Sequence, residues 1–169
     1  MGFPAKLKDM NLHLGGRGHK GIVSEVTLPK LTHKLIEFRN GGMLAPLQAT
    51  VGLEKLELDF TMGGLIRDAL RDFGASAYDA VVARFSGAYQ EDGFGSVSTV
   101  EVTVMGQYTE IDMGNAKVGD DTAHKGKLSC VYYQLDVDGE NWITIDVMNG
   151  VFIVFGVDRY AEIRASVAD

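Results

Sequence analysis

The chain has 169 residues, 46% of them hydrophobic and 23% charged, which is the composition of a globular protein with one domain or two small ones. No apolar run approaches the length that spans a bilayer, and the N-terminus has no signal-peptide pattern, so we expect a protein made in a cytoplasm, without stable membrane binding. The net charge of -7 argues against tight nucleic-acid binding, and the single cysteine, Cys130, excludes an internal disulfide.

The charge is unevenly distributed along the chain. Residues 1–40 hold seven Lys and Arg against three Asp and Glu, whereas residues 41–169 hold nine against twenty. An ordinary solvated surface explains this pattern in most proteins. The alternative interpretation is a subunit with a basic part and an acidic part, which suits head-to-tail stacking.

The first elements in chain order are predicted to be strands. Residues 8–14 alternate apolar and polar positions, and the glycines that follow predict an opening hairpin with a basic tip. Residues 26–38 read as an extended segment in which Pro29 indicates an edge strand or a bulge, because proline cannot donate to a ladder. A long extended connection is then predicted around residues 39–52.

The tip of that connection is unusual because it is apolar. Gly41 and Gly42 indicate a turn, but residues 43–47 read MLAPL. Loops normally face water, so an apolar tip needs a partner, either its own domain or another molecule. We expect the second.

The next strand, predicted from Leu53 to Met62, has the clearest pattern in the chain. Leu56, Leu58 and Phe60 fall on one face, and Glu57 and Asp59 fall on the other, which we expect to be acidic and solvated.

Helical spacing appears only twice. Apolar residues from Leu65 to Phe73 predict one internal helix that stops at Gly74, and the segment from Val157 to about Val167 predicts a short C-terminal helix. Between them, alternating segments predict strands at 82–89, 97–108, 127–137, 142–148 and 151–155. Because no βαβ rhythm is present, we predict a single mainly β domain over residues 1–169, with antiparallel sheets of a sandwich-like or barrel-like type.

Residues that could carry chemistry show no strong motif. None of the four histidines has metal-ligand spacing, and Asp138-Gly139 reads as a hairpin turn rather than a calcium loop. Glu110 and Asp112 could form a general acid/base pair, so a small hydrolase remains an alternative. We otherwise expect neither an enzyme nor a cofactor or metal site.

A family resemblance rests on a set of motifs that occur in order along the whole chain. Residues 26–31 read VTLPKL, and Lys34, Phe38-Arg39 and Gly41-Gly42-Met43 follow. This run resembles the "TLPKL…K…YR.GGM" segment of the major tail tube proteins of contractile bacteriophage tails and R-type pyocins, with Phe38 in place of the usual tyrosine. Later landmarks resemble the same family: Val51-Gly52-Leu53-Glu54, Met62-Gly63-Gly64, Arg84-Phe85-Ser86-Gly87, Tyr132-Tyr133 and Gly156-Val157-Asp158-Arg159.

The resemblance implies a tail-tube fold and a structural subunit of the inner tube of a contractile tail. It implies hexameric rings that stack into a hollow conduit for DNA ejection or membrane puncture, in a virion assembled in the host bacterial cytoplasm. The implied partners are other copies of the chain, the tail sheath protein, the tape-measure protein, and the baseplate and tail-terminator proteins, with DNA only as non-specific cargo. Residues assigned to self-assembly are Leu28, Pro29, Lys30, Leu31, Arg39, Gly41, Gly42, Met43, Leu44, Pro46 and Leu47; those assigned to the lumen are Glu57 and Asp59.

Other functions stay open at this point. A β-sandwich carbohydrate-binding or adhesion module would have a similar strand pattern, although the chain has one Trp and no aromatic platform. Within the tube class, a type VI secretion-like tube protein is a further alternative.

Overall fold

A computed structural model describes residues 2–93 and 95–168 and shows a mainly β protein. The strands are β1 Ala5–Leu14, β2 Arg17–Gly18, β3 Val23–Thr27, β4 His33–Phe38, β5 Leu47–Leu53, β6 Leu56–Met62, β7 Val81–Glu91, β8 Val97–Asp112, β9 His124–Val137, β10 Glu140–Asp146, β11 Val151–Val154 and β12 Val157–Asp158. The helices are α1 Arg67–Arg71 and α2 Ala161–Ser166. Neither helix in this part of the chain has the length and apolar character that a bilayer crossing requires.

Ten of these strands form one antiparallel sheet that branches at β9. The order β12-β11-β10-β9-β8-β7-β1-β2 forms the main path. The first half of β9 pairs with β6 from His124 to Cys130, and the second half pairs with β10 from Tyr132 to Val137. Strand β3 extends the β6 branch, and β4 and β5 form a separate two-stranded sheet. The prediction of antiparallel β structure is confirmed.

One hydrophobic core lies on the inner face of this sheet. The strict alternation of β6 buries every second residue, from Leu56 to Met62. The β6 side chains meet Leu12 and Leu14 of β1, Phe85 of β7 and Leu128 of β9, among others. Because the side-chain period of a strand is two, the residues that alternate with these core residues along β6 point to the outer face of the sheet.

The internal helix is shorter than its sequence predicts. Helical spacing runs from Leu65 to Phe73, yet α1 contains five residues, and both of those apolar side chains are exposed. Only Ile66 and Ala69 reach the core, and no side chain caps the helix N-terminus. A helix this short is only marginally stable by itself, so the length of α1 is set by the single turn that packs on the core.

The C-terminal helix also begins later than predicted. Phe155 and Gly156 form a two-residue turn, and Val157 pairs back onto Val154 as β12. The helix therefore starts at Ala161 rather than near Val157. None of its residues is buried.

Candidate functional site

A two-stranded arm leaves the sheet at the point where β10 replaces β6 as the partner of β9. The paired strands β3 and β6 continue through residues 28–32 and 54–55 into β4 and β5, so the two pairs form one bent ribbon. Leu56 pairs with Cys130, but the next carbonyl of β9, that of Val131, accepts a hydrogen bond from the Val147 amide (2.9 Å). Because β10 takes this edge of β9, the ribbon turns away from the sheet. We call residues 33–53 the arm.

The arm exposes apolar side chains on a hairpin that no other element of the described residues joins by strand pairing. Every residue of β4 is exposed. Two strands with no third strand or helix to cover them are marginally stable in water, so the arm is suited to gain order from another molecule. Its exposed large apolar residues are Leu35, Ile36, Phe38, Leu44, Leu47 and Val51.

The arm tip presents one leucine rather than its methionine. The Arg39 side chain donates to the Met43 carbonyl (3.2 Å), and the Asn40 amide lies 3.3 Å from the Met43 sulfur. These contacts fold Met43 back onto the turn, which Gly42 closes at a φ of 84°. Leu44 is 96% exposed and is the most prominent apolar group of the tip.

The residues assigned to self-assembly from the sequence fall into two groups. Leu28 and Pro29 lie at the base of the ribbon, where Leu28 packs against the chain's own core and Pro29 is buried. The other nine lie on the solvent side, with only Met43 half-buried: Lys30, Leu31, Arg39, Gly41, Gly42, Met43, Leu44, Pro46 and Leu47. The second half of the segment predicted as a long connection, residues 39–52, is strand β5.

Glu57 and Asp59 lie on the outer face of the sheet, away from the core, as their alternation predicts. The Lys55 ammonium lies 3.1 Å from the Glu57 carboxylate. One oxygen of Asp59 is buried and has no hydrogen-bond partner within the described residues. Both residues are half-buried rather than fully solvated.

Two lysines from β9 interrupt this acidic face, and no local pattern around β6 predicts them. The strand register places Lys127 between Asp59 and Glu110, and Lys125 between Thr61 and Asp112. Directly opposed residues in antiparallel strands share a face, so these are cross-strand rows of alternating charge. The outer face of β3, β6, β9 and the end of β8 carries Glu25, Glu57, Asp59, Glu110 and Asp112 against Lys125 and Lys127.

We call this surface the polar face. With Lys55, which pairs with Glu57, it carries five carboxylates and three lysines, a net charge of two negative units. Glu110 and Asp112, the candidate acid/base pair, each lie directly opposite a lysine of β9 in the strand register. The groove beside them has a volume of about 230 Å³, below the roughly 300–1,000 Å³ of typical small-molecule sites. The arrangement resembles a polar lining more than a catalytic pocket.

Two strand edges flank the polar face without a partner in the described parts of the chain. Strand β3 pairs only with β6, and β8 pairs with β7 only as far as Gly106, which leaves one edge of residues 107–112 open. The strands β3, β6, β9 and β8 alternate in direction. Residues 107–112 therefore run in the direction opposite to β3, so the two open edges are compatible with antiparallel pairing.

Comparison with known proteins decides the family. Residues 4–167 match the family described as "Phage tail tube protein FII". The chain belongs to this family. It is 38% identical to the tail tube protein of Escherichia phage P2 over 99% of both chains. It is 35% identical to the major tail tube protein of Serratia phage KSP20, over 96% of this chain and 94% of that one.

Solved structures share the same fold at low sequence identity. A sheath/tube terminator of an extracellular contractile injection system matches with a TM-score of 0.61 and 10% identity, over 79% of this chain and 97% of that one. A sheath-tube complex of the same system matches with a TM-score of 0.60 at 10% identity, over 79% and 92%. The family match and the two phage relatives identify the chain as a structural tail tube protein, a virion component, and not an enzyme. The resemblance predicted from the sequence is confirmed.

Proposed function

We propose that six copies of this chain close into a ring, and that the rings stack into the inner tube of a contractile tail. The observation that carries the proposal is the apolar arm, which contacts its own chain at its base, through His33 and Leu53, while no other strand pairs with it and every residue of β4 is exposed. In a stacked tube, the arm would cover an adjacent subunit or ring. Leu31, Leu44 and Leu47 would supply the apolar contacts, with Pro46 fixing the turn.

Ring closure would use the two open strand edges. Strand β3 of one subunit would pair with residues 107–112 of the next, which continues the alternation of strand direction around the ring. Closure of a sheet on itself removes its exposed edges, and those edges otherwise promote uncontrolled aggregation.

The polar face would then line the lumen, with Glu57 and Asp59 among its side chains. Its two net negative charges per subunit would repel DNA phosphates, while the interleaved lysines would stabilise the wall. DNA passing through such a conduit, during ejection or envelope puncture, would be non-specific cargo, because phosphate neutralisation requires a surplus of cations.

The opposite side of the molecule is a candidate for the sheath contact. Ile66, which immediately precedes α1, and Ala69 within α1 pack onto the core from the side away from the polar face, so α1 would face outwards in the tube. The structures that share the fold come from a sheath-tube complex, a tube-terminating cap and a baseplate. By analogy, sheath, baseplate and terminator proteins would be partners of this chain, and a tape-measure protein would occupy the lumen before ejection. Assembly would take place in the host bacterial cytoplasm.

Electron microscopy of the purified protein tests the proposal. We expect hollow tubes or stacked rings of six subunits at rising concentration, visible by negative stain. Leu44→Asp should abolish or sharply reduce them without lowering the melting temperature, because this side chain makes no contribution to the monomer core.

The matched control is Leu65→Asp, which places the same charge on another exposed leucine outside the arm. Tubes that form equally well in both variants would contradict the role of the arm tip. Rings with a number of subunits other than six would contradict the hexamer.

A further inference from the structure

A phenylalanine occupies a turn position that its side chain disfavours. Phe155 and Gly156 have φ angles of 48° and 80° and form the two-residue turn between β11 and β12. Asp138 and Gly139, with φ of 51° and 81°, make the same type of turn between β9 and β10. Asp and Asn tolerate a left-handed backbone at this position, whereas a bulky residue there is an outlier.

The side chain of Phe155 stays largely exposed although it contacts one residue of its own chain. It is 57% exposed. Its ring lies against Trp142, with centroids 5.3 Å apart and planes tilted by 34°, and its amide donates to the Trp142 carbonyl (2.7 Å). Strained residues persist where the strain serves a function, so the position calls for a role outside the monomer.

Trp142 and Phe155 form an apolar surface at the turn between β11 and β12, and Val157 follows Phe155 two residues later in the chain. We call these three residues the aromatic corner. Val157 is also exposed. The carboxylates of Asp138 and Glu140 precede Trp142 in the chain, and Arg159 follows β12, so the surroundings are net negative. An apolar surface with an acidic rim fits a partner that is apolar and basic.

The arm has those properties. Lys34 and Arg39 outnumber Glu37 along it, so the arm is net positive, and Leu44 stands free at its tip. We propose that the aromatic corner is the docking site for the arm tip of a second copy of this chain. Leu44 packs against the Phe155–Trp142 pair, and the basic residues of the arm face Asp138 and Glu140.

The contact joins two different surfaces of one chain, so it is heterologous. Such contacts leave one donor and one acceptor free at the ends of every oligomer and therefore propagate. This deepens the proposed function and rests on it, since it names the acceptor for the arm. The strained turn holds an exposed aromatic ring in place before docking, which limits the ordering cost of association.

Phe155→Asn tests the proposal because it improves the turn while removing the ring. We expect a melting temperature close to that of the wild type, because the relief of backbone strain offsets the lost contact with Trp142. The critical concentration for tube formation should be at least tenfold higher than that of the wild type. Tyr78→Asn is the matched control, since it removes another exposed aromatic side chain away from the corner. A Phe155→Asn variant that assembles at the wild-type concentration would overturn the inference and leave the tube function standing.

Cross-linking identifies the occupant of the corner directly. The double variant Leu44→Cys with Val157→Cys, treated with a short bismaleimide, should give a ladder of covalent oligomers on denaturing gels, whereas each single variant stops at dimers. A double variant with no products beyond those of the single variants would overturn the contact. If the wild type forms no tubes at any concentration, the proposed function fails and this inference falls with it.

Discussion

Leu56 and Cys130 form the last residue pair between β6 and β9, and beyond them β10 replaces the ribbon at the edge of β9. This replacement gives the molecule its uncovered arm. A second bend lies inside the arm, where His33 pairs with Leu53 but Leu35 pairs with Thr50. This bulge places Val51 and Gly52 opposite the single residue Lys34, and Gly52 has a φ of 114°. The direction of the arm therefore depends on two local features of the ribbon.

The first prediction concerns this bulge. Gly52→Ala should weaken tube assembly, because a Cβ in that backbone region costs about 1–3 kcal/mol and changes the angle of the arm. The melting temperature of the body should not change, since the arm is a separate sheet. Sedimentation of tubes across concentration measures the effect. Gly74→Ala, at a glycine that also has a positive φ (91°) and open space around it but lies outside the arm, is the control. Equal assembly of the two variants would contradict this account.

A second prediction concerns the charge rows of the polar face. Lys127→Glu places three carboxylates in one cross-strand row with Asp59 and Glu110. Since like charges directly opposed destabilise a sheet, we expect a loss of roughly 1 kcal/mol in the free energy of unfolding at low salt. The loss should shrink in 0.5 M salt, where screening is stronger. Urea denaturation at both salt concentrations measures it.

The control for this row is Lys117→Glu. Lys117 is exposed, lies outside the strands and pairs only loosely with Asp120 at 3.8 Å. Exposed pairs of this kind contribute little to stability. A loss as large as that of Lys127→Glu would mean that net charge, rather than the cross-strand row, sets the effect.

The same row shows which features a single sequence can predict. The alternation of Leu56 to Met62 placed Glu57 and Asp59 on the outer face correctly, because strand periodicity is local. Lys127 lies far along the chain, and only the register of β6 against β9 brings it beside Asp59. The apolar sequence of residues 43–47 predicts that the tip of the arm needs a partner, but it does not predict strand β5. The arm leaves the sheet because β10 occupies the edge of β9 beyond Cys130, and that contact is also long-range.

Helix ends were predicted less well than strands for a related reason. Leu65 and Phe73 have the right spacing, yet both are exposed, because tertiary packing and not periodicity decides how many turns are retained. The late start of α2 follows from the turn at Phe155, a residue that turn preferences do not favour.

The third prediction uses the buried thiol as a probe of opening. Burial raises the pKa of Cys130 to about 12, so the reactive thiolate is absent at pH 8 and the side chain is inaccessible. Alkylation by iodoacetamide should therefore follow unfolding and accelerate with urea along the unfolding transition. Rapid labelling of the native protein would contradict the burial of this part of β9.

The final prediction concerns the attachment of α2. The Arg164 guanidinium donates to the Gly150 carbonyl (2.9 Å) and to the Asp158 carboxylate (2.6 Å). We call these two hydrogen bonds the clamp. Because α2 buries no residue, the clamp is the main described contact between α2 and the sheet. Arg164→Ala should increase amide hydrogen exchange in residues 161–166 and leave the rest of the protein unchanged. Arg159→Ala, which removes a neighbouring arginine, is the control.

The pH dependence of the clamp has a definite sign. The hydrogen bond from Arg164 holds the pKa of Asp158 below its usual 3.8. A lowered pKa in the folded state means that the clamp contributes above pH 3.8 and is lost as the pH falls through the folded value. Protection of α2 should thus fall in acid in the wild type, whereas in Arg164→Ala it should be low at every pH. An NMR titration in which the pKa of Asp158 is the same with and without Arg164 would rule the clamp out, since the carboxylate would then owe its low pKa to the Tyr160 amide alone.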